Sequence, residues 1–153
     1  MTDSDPDGAV AFTVDYLDLA GNAGTQVTSV TSGGNVTFDN TAPTISSATI
    51  ASNNAVNTLA KVGDVVTVTI TSAEDLYSLA SLAINSQSVD VAQVTKTSAT
   101  EWSFTYTMTS SDTEGDLDFG FTTNDLTGNS SALTYSSSLT FDRTAPTLSA
   151  VSI

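Results

Sequence analysis

The chain has 153 residues, no cysteine and no histidine, and 17 acidic against three basic side chains, for a net charge of −14. That charge repels nucleic acid and anionic membrane surfaces. Without cysteine there is no disulfide or thiol chemistry, and without histidine the commonest general base and transition-metal ligand are missing. In chain order, Asp3-x-Asp5-x-Asp7-Gly8 is an acidic turn. Val10, Phe12 and Val14 then alternate to one side, and Val36 and Phe38 follow in a second strand. In Thr41-Ala42-Pro43 the proline fixes its own φ and holds the residue before it extended, so the linker is short and stiff. Residues 44–51 carry Ile45, Ala48 and Ile50 and read as a strand, and Asn53-Asn54 and Gly63-Asp64 are turn signals. Residues 65–71 put Val66, Val68 and Ile70 on one face.

Residues 73–82 space Leu76, Leu79 and Leu82 almost helically, over a stretch short enough to be a loop with a single turn. Residues 81–85 and 88–95 read as two short strands around Asn85-Ser86-Gln87. In residues 101–108, Trp102, Phe104, Tyr106 and Met108 alternate with Ser103, Thr105 and Thr107, the period of a strand with one buried face. Residues 116–123 turn Leu117, Phe119 and Phe121 inward, Asp125-Leu126-Thr127-Gly128-Asn129 is a tight connection, and residues 131–141 complete the set. Thr144-Ala145-Pro146 repeats the stiff linker, and residues 148–153 read as one more strand. No apolar run approaches the roughly 20 residues of a membrane-spanning helix. The polar start is not a signal peptide, so export would need an address elsewhere.

The chain repeats itself. Met1 aligns with Met108, Phe12 with Phe119, Asp18 with Asp125, Gly21 with Gly128 and Asn22 with Asn129, all 107 residues apart. Phe38-Asp39-Asn40-Thr41-Ala42-Pro43 aligns with Phe141-Asp142-Arg143-Thr144-Ala145-Pro146 at a spacing of 103. The difference of four is expected in the Gly33-Gly34 region, a loop tip that tolerates insertion. Met1 falls opposite the end of a strand, so it is expected to be an internal position of a longer chain, or a start placed at one. The expected division is 1–42, the last two strands of a preceding copy; 43–146, a complete copy; and 147–153, the first strand of a following one. About seven short strands per copy argue an all-β, antiparallel, immunoglobulin-like β-sandwich in tandem repeat.

Asp18-Leu19-Ala20-Gly21-Asn22, the block from Phe38 to Thr44, and their second copies resemble bacterial Ig-like repeats that build the stalks of large surface adhesins, including RTX-type adhesins. The resemblance implies an extracellular, cell-surface location, a spacer or extender role, and calcium at domain junctions. It also implies neighbouring repeats of the same chain as partners.

The carboxylates are the candidate site. Calcium takes six to eight oxygens, and Asp3, Asp5 and Asp7 before Gly8 offer three carboxylates at alternate positions in a turn. Val14 stands where an EF-hand would need its twelfth ligand, so the loop is not an EF-hand. The second copy keeps Asp112 and Glu114 before Gly115, and Asp39 and Asp142 lie at the linkers. All seven are expected either to bind calcium at junctions or to cap their own turns. Asp18 and Asp125 are expected to hold the backbone of their Gly-Asn turns.

An enzyme is not expected, because only paired-carboxylate hydrolysis remains open and these acids sit in turns. The alternative to an extender is a module binding glycan, protein or ice through a threonine face such as Thr67, Thr69 and Thr71. The partial copies also offer strand pairing with another molecule.

Overall fold

Side chains that alternate between β-branched apolar and hydroxyl groups favour extended backbone, and the chain folds accordingly. A computed structural model describes residues 1, 2 and 4–152. They divide into two units, Met1–Thr41 and Ala42–Ile153.

In the smaller unit, β1 (Gly8–Ala9) pairs antiparallel with β2 (Thr37–Phe38), with Gly8 opposite Phe38. Isolated bridges join Val14 to Val27 and Leu17 to Ala23. The expected run through Val10, Phe12 and Val14 is therefore not one continuous strand. Phe12, Val14, Tyr16 and Val27 remain exposed.

The larger unit holds β3 (Ile45–Ser52), β4 (Leu59–Ala60), β5 (Val65–Ser72), β6 (Leu76–Ile84), β7 (Gln87–Ser88), β8 (Val94–Lys96), β9 (Glu101–Thr107), β10 (Gly115–Asp116), β11 (Phe119–Asp125), β12 (Ser130–Tyr135) and β13 (Thr140–Phe141). Two antiparallel sheets run in the orders β3-β5-β9-β8 and β12-β11-β6-β7. A third, small sheet orders β10-β13-β4, with β13 parallel to β4.

The core lies between the two four-stranded sheets. Val66, Val68 and Ile70 of β5 and Trp102 and Phe104 of β9 meet Leu79, Leu82 and Ile84 of β6 and Phe119 and Phe121 of β11 in one buried cluster. Phe104 and Phe121 contact edge to face across the sheets at 6.3 Å. Each such side chain contributes about 1.5–3 kcal/mol by leaving water. The all-β sandwich is thus set by the period-two alternation of β5 and β9.

Several elements differ from the sequence reading. The near-helical leucines lie in the nine-residue strand β6. Against β11 the register shifts twice: Leu76 and Ser78 face the consecutive residues Asp125 and Asn124, and Ala80 and Ala83 face Thr122 and Gly120. Each bulge inserts one residue and returns the next leucine to the core side. Ser81, inside the second bulge, takes φ 50°. The hairpin after β6 turns on Asn85 and Ser86, both at positive φ (48° and 64°), the backbone of a type I′ turn.

Residues 88–95 are not one strand. β7 pairs in one sheet, and a 3-10 turn at Val91–Gln93, capped by Asp90, carries the chain to β8 in the other. Residues 116–123 and 131–141 likewise split between the small sheet and the β11–β12 pair. Residues 147–152 form no strand, and Leu148 and Val151 are exposed; Ile153 lies outside the described residues.

Candidate functional site

A carboxylate placed two or three residues before free backbone N–H groups accepts their hydrogen bonds, as in Asx turns. Of the candidate carboxylates Asp39 and Asp142 do this, and the others accept from residues earlier in the chain or far along it, in two parallel sets. In the smaller unit, Asp5 accepts from the Thr2 N–H at 2.7 Å, and Asp5 N–H returns to the Thr2 carbonyl at 3.0 Å. In the larger unit, the buried Asp112 accepts from the Thr109 N–H at 2.6 Å and from the Tyr106 hydroxyl at 2.9 Å. Burial, joined by the Asp112 carboxylate, pushes the Tyr106 phenol above its usual pKa. Tyr106, expected as plain core, is therefore a half-buried ring with its polar end held.

One residue pair further on, Asp7 Oδ1 accepts from Asn40 N–H at 2.8 Å and Oδ2 from the Thr41 hydroxyl. Glu114 Oε1 accepts from Arg143 N–H at 2.9 Å and from the Thr144 hydroxyl at 2.7 Å. The threonine hydroxyl first, then the backbone N–H, holds each of these carboxyls below the usual carboxylate range. Asp39 accepts from Thr41 N–H at 3.0 Å and Asp142 from Thr144 N–H at 2.8 Å. Asp3 lies outside the described residues.

At least one oxygen of each of these six carboxylates accepts a hydrogen bond from the protein's own donors. Among the described residues, neither Asp5, Asp7 and Asp39 nor Asp112, Glu114 and Asp142 bring three carboxylate oxygens within 4.8 Å of one another.

The Gly-Asn turns behave as expected. Asp18 accepts from Ala20 and Asn22 N–H groups at 2.9 and 2.8 Å and from the Asn22 amide at 2.8 Å. The Asn22 side chain is the main reason its pKa is lowered. Asp125, almost fully buried, accepts from Thr127, Gly128 and Asn129 N–H groups at 2.8, 2.7 and 2.9 Å. Burial pushes its pKa up, but the Asn129 and Thr127 side chains with these amides outweigh it, and the net shift is downward. The glycine in each loop, Gly21 or Gly128, takes the positive φ (90° and 102°) that the turn needs.

One carboxylate was not singled out by the sequence. Asp64, buried beside Gly63, accepts from Lys61 Nζ at 2.7 Å, Asn54 Nδ2 at 2.7 Å and Lys61 N–H at 2.9 Å. These bonds, Lys61's side chain foremost, lower its pKa to about 2. The Lys-x-x-Asp spacing across the Gly63 turn is the local signal for it.

The threonine face lies on the outer side of the β3-β5-β9-β8 sheet. There Thr69 sits opposite Thr49 and Ser103, and Thr67 opposite Thr105. Comparison with protein-family models, with characterised proteins and with solved structures gives no match.

Proposed function

We propose that this chain is a structural extender of an extracellular bacterial adhesin or surface fibre, made of immunoglobulin-like repeats joined by stiff linkers. The observation that carries the reading is the paired geometry of the two linkers. Gly8 faces Phe38 as Gly115 faces Phe141, and in each copy two carboxylates hold the threonine of the Thr-Ala-Pro linker that follows. A device spent on chain direction, rather than on a cleft, suits a spacer.

The immunoglobulin-like reading is supported by strand order. An A-B-E-D sheet facing a G-F-C-C′ sheet is the immunoglobulin arrangement, and β3-β5-β9-β8 facing β12-β11-β6-β7 has that order. The tandem reading is supported by the bridges of the smaller unit. Leu17–Ala23 corresponds to Asn124–Ser130, both members 107 residues on, whereas Val14–Val27 corresponds to Phe121–Leu133, with Val27 only 106 before its counterpart. One of the four extra residues therefore falls between Ala23 and Val27, not at Gly33-Gly34.

In this reading stiffness comes from internal donors, and calcium is an addition at the same carboxylates. Single-molecule pulling on the chain tests the mechanical role. The larger unit should unfold in one discrete step, releasing roughly 340 Å of contour at ~3.5 Å per residue from β3 through β13. Gradual extension without a step overturns the proposal. Calorimetry with calcium and with chelator tests the ion: a higher melting temperature in calcium supports it, and coincident traces remove it. Saturable glycan binding abolished by Thr69→Lys would instead favour a ligand module on the threonine face.

A further inference from the structure

We propose that the side chain just before the left-handed glycine of each turn, Asp7 before Gly8 and Glu114 before Gly115, is the positioning residue that sets the direction in which the chain leaves the end of a repeat. The proposal deepens the extender reading and rests on it for its use, but not for its geometry.

Gly8 and Gly115 take φ 136° and 126°, a backbone that L side chains rarely adopt, and each sits directly opposite the phenylalanine that ends the partner strand. The residue before the glycine therefore lies across from the first residues beyond that phenylalanine, which are the linker. Its carboxylate meets the linker's second N–H, from Asn40 or Arg143, and the threonine hydroxyl that follows.

The identity of the acid differs by one methylene, yet the donors are the same. The retained feature is thus the carboxylate, not the length of the side chain. Hydrogen bonds to an ionised acceptor are about twice as strong as neutral ones. A second carboxylate, Asp39 or Asp142, takes the same threonine's N–H, so the threonine is held at both its backbone and its side chain. The next two residues are Ala-Pro, where the proline ring leaves little freedom. A direction fixed at the threonine is therefore carried forward along the chain.

The copy at Glu114 has one more tie. The Arg143 guanidinium donates to the Ser110 carbonyl, and its Nε lies 3.9 Å from Glu114. Asn40, which has no guanidinium, stands at that position in the first copy. This exposed ion pair adds little by itself.

The test reads the linkers of the intact chain by NMR. In Glu114→Ala, amide exchange at Arg143 should accelerate about tenfold or more, and order parameters at Thr144 and Ala145 should fall from about 0.85 toward 0.6. Amides of Trp102 and Phe104 should exchange as in the parent chain, which shows that the sandwich is intact. Asp7→Ala should do the same at Asn40 and Thr41. Glu114→Asp, which installs the acid of the other copy, should restore most of the protection. Unchanged exchange and order in both alanine variants overturn the proposal, as does failure of Glu114→Asp to exceed Glu114→Ala. Either result leaves the discrete mechanical unfolding step untouched, so the two readings fail separately.

Discussion

Phe119 and Phe12 align 107 positions apart in the sequence, and replacing each by alanine should have very different consequences. Phe119 is 3% exposed, stacks on Tyr135 at 5.2 Å, and lies between Ile84 and Tyr135 in the sheet. Emptying such a site costs about 3–5 kcal/mol, from lost transfer energy and the cavity left behind. That is a large share of the ~5–15 kcal/mol by which a domain is stable. Phe12 is 37% exposed, and its replacement should cost under about 1 kcal/mol.

The assay is urea unfolding followed by tryptophan emission. Trp102 is the single tryptophan and is buried in β9, so it reports on the larger unit alone. With a slope of ~1–3 kcal/mol per molar urea, Phe119→Ala should move that midpoint down by more than about 1 M, whereas Phe12→Ala should move the smaller unit's own midpoint, followed by NMR at the Val14 and Val27 amides, by less than that. Equal shifts, or a Phe119→Ala shift below the error of the Phe12→Ala measurement, would refute the claim that burial and not repeat position decides the cost.

Asp125→Ala strips the acceptor from three backbone N–H groups and two side chains, and should destabilise the larger unit by about 2–4 kcal/mol in thermal unfolding. Gly120→Val should cost about 1–3 kcal/mol by the same measurement, because an added Cβ would already lie 3.1 Å from the Leu133 carbonyl oxygen. Asp64 titrates at about 2 when folded, below the ~3.9 of an unfolded aspartate. Its contribution is therefore complete above about pH 4 and is lost as pH falls from there toward 2. Melting temperature measured between pH 2 and 5 should fall less steeply in Asp64→Asn than in the parent chain.

Strands β5 and β9 were legible in the amino acids alone. Their inward positions, Val66, Val68, Ile70, Trp102 and Phe104, recur every second residue, and a strand with one buried face imposes that period. The turn roles of Asp18 and Asp125 were legible for a similar reason, since donor and acceptor lie within four residues. The turns at Asn85 and Gly63 are equally local.

The rest depends on partners distant in the chain. The leucines of β6 look helical because each bulge adds one residue to a period of two, and a bulge exists only relative to the strand beside it, β11. Residues 88–95 change sheets because β8 finds its partner in β9, which no local pattern announces. The acidic positions carried the same double meaning. Spacing in Asp5-x-Asp7-Gly8 fits a cation loop and a capped turn equally well, and it does not announce that pairing of β1 with β2 brings Asn40 and Thr41 to Asp7, more than thirty residues away. Side-chain alternation and turn chemistry are local, so sequence alone determined that the chain is a β protein with repeated acidic turns. Which phenylalanine is buried, and which carboxylate holds a linker, follows from contacts that exist only once the sheets have formed, and the tertiary structure decided both.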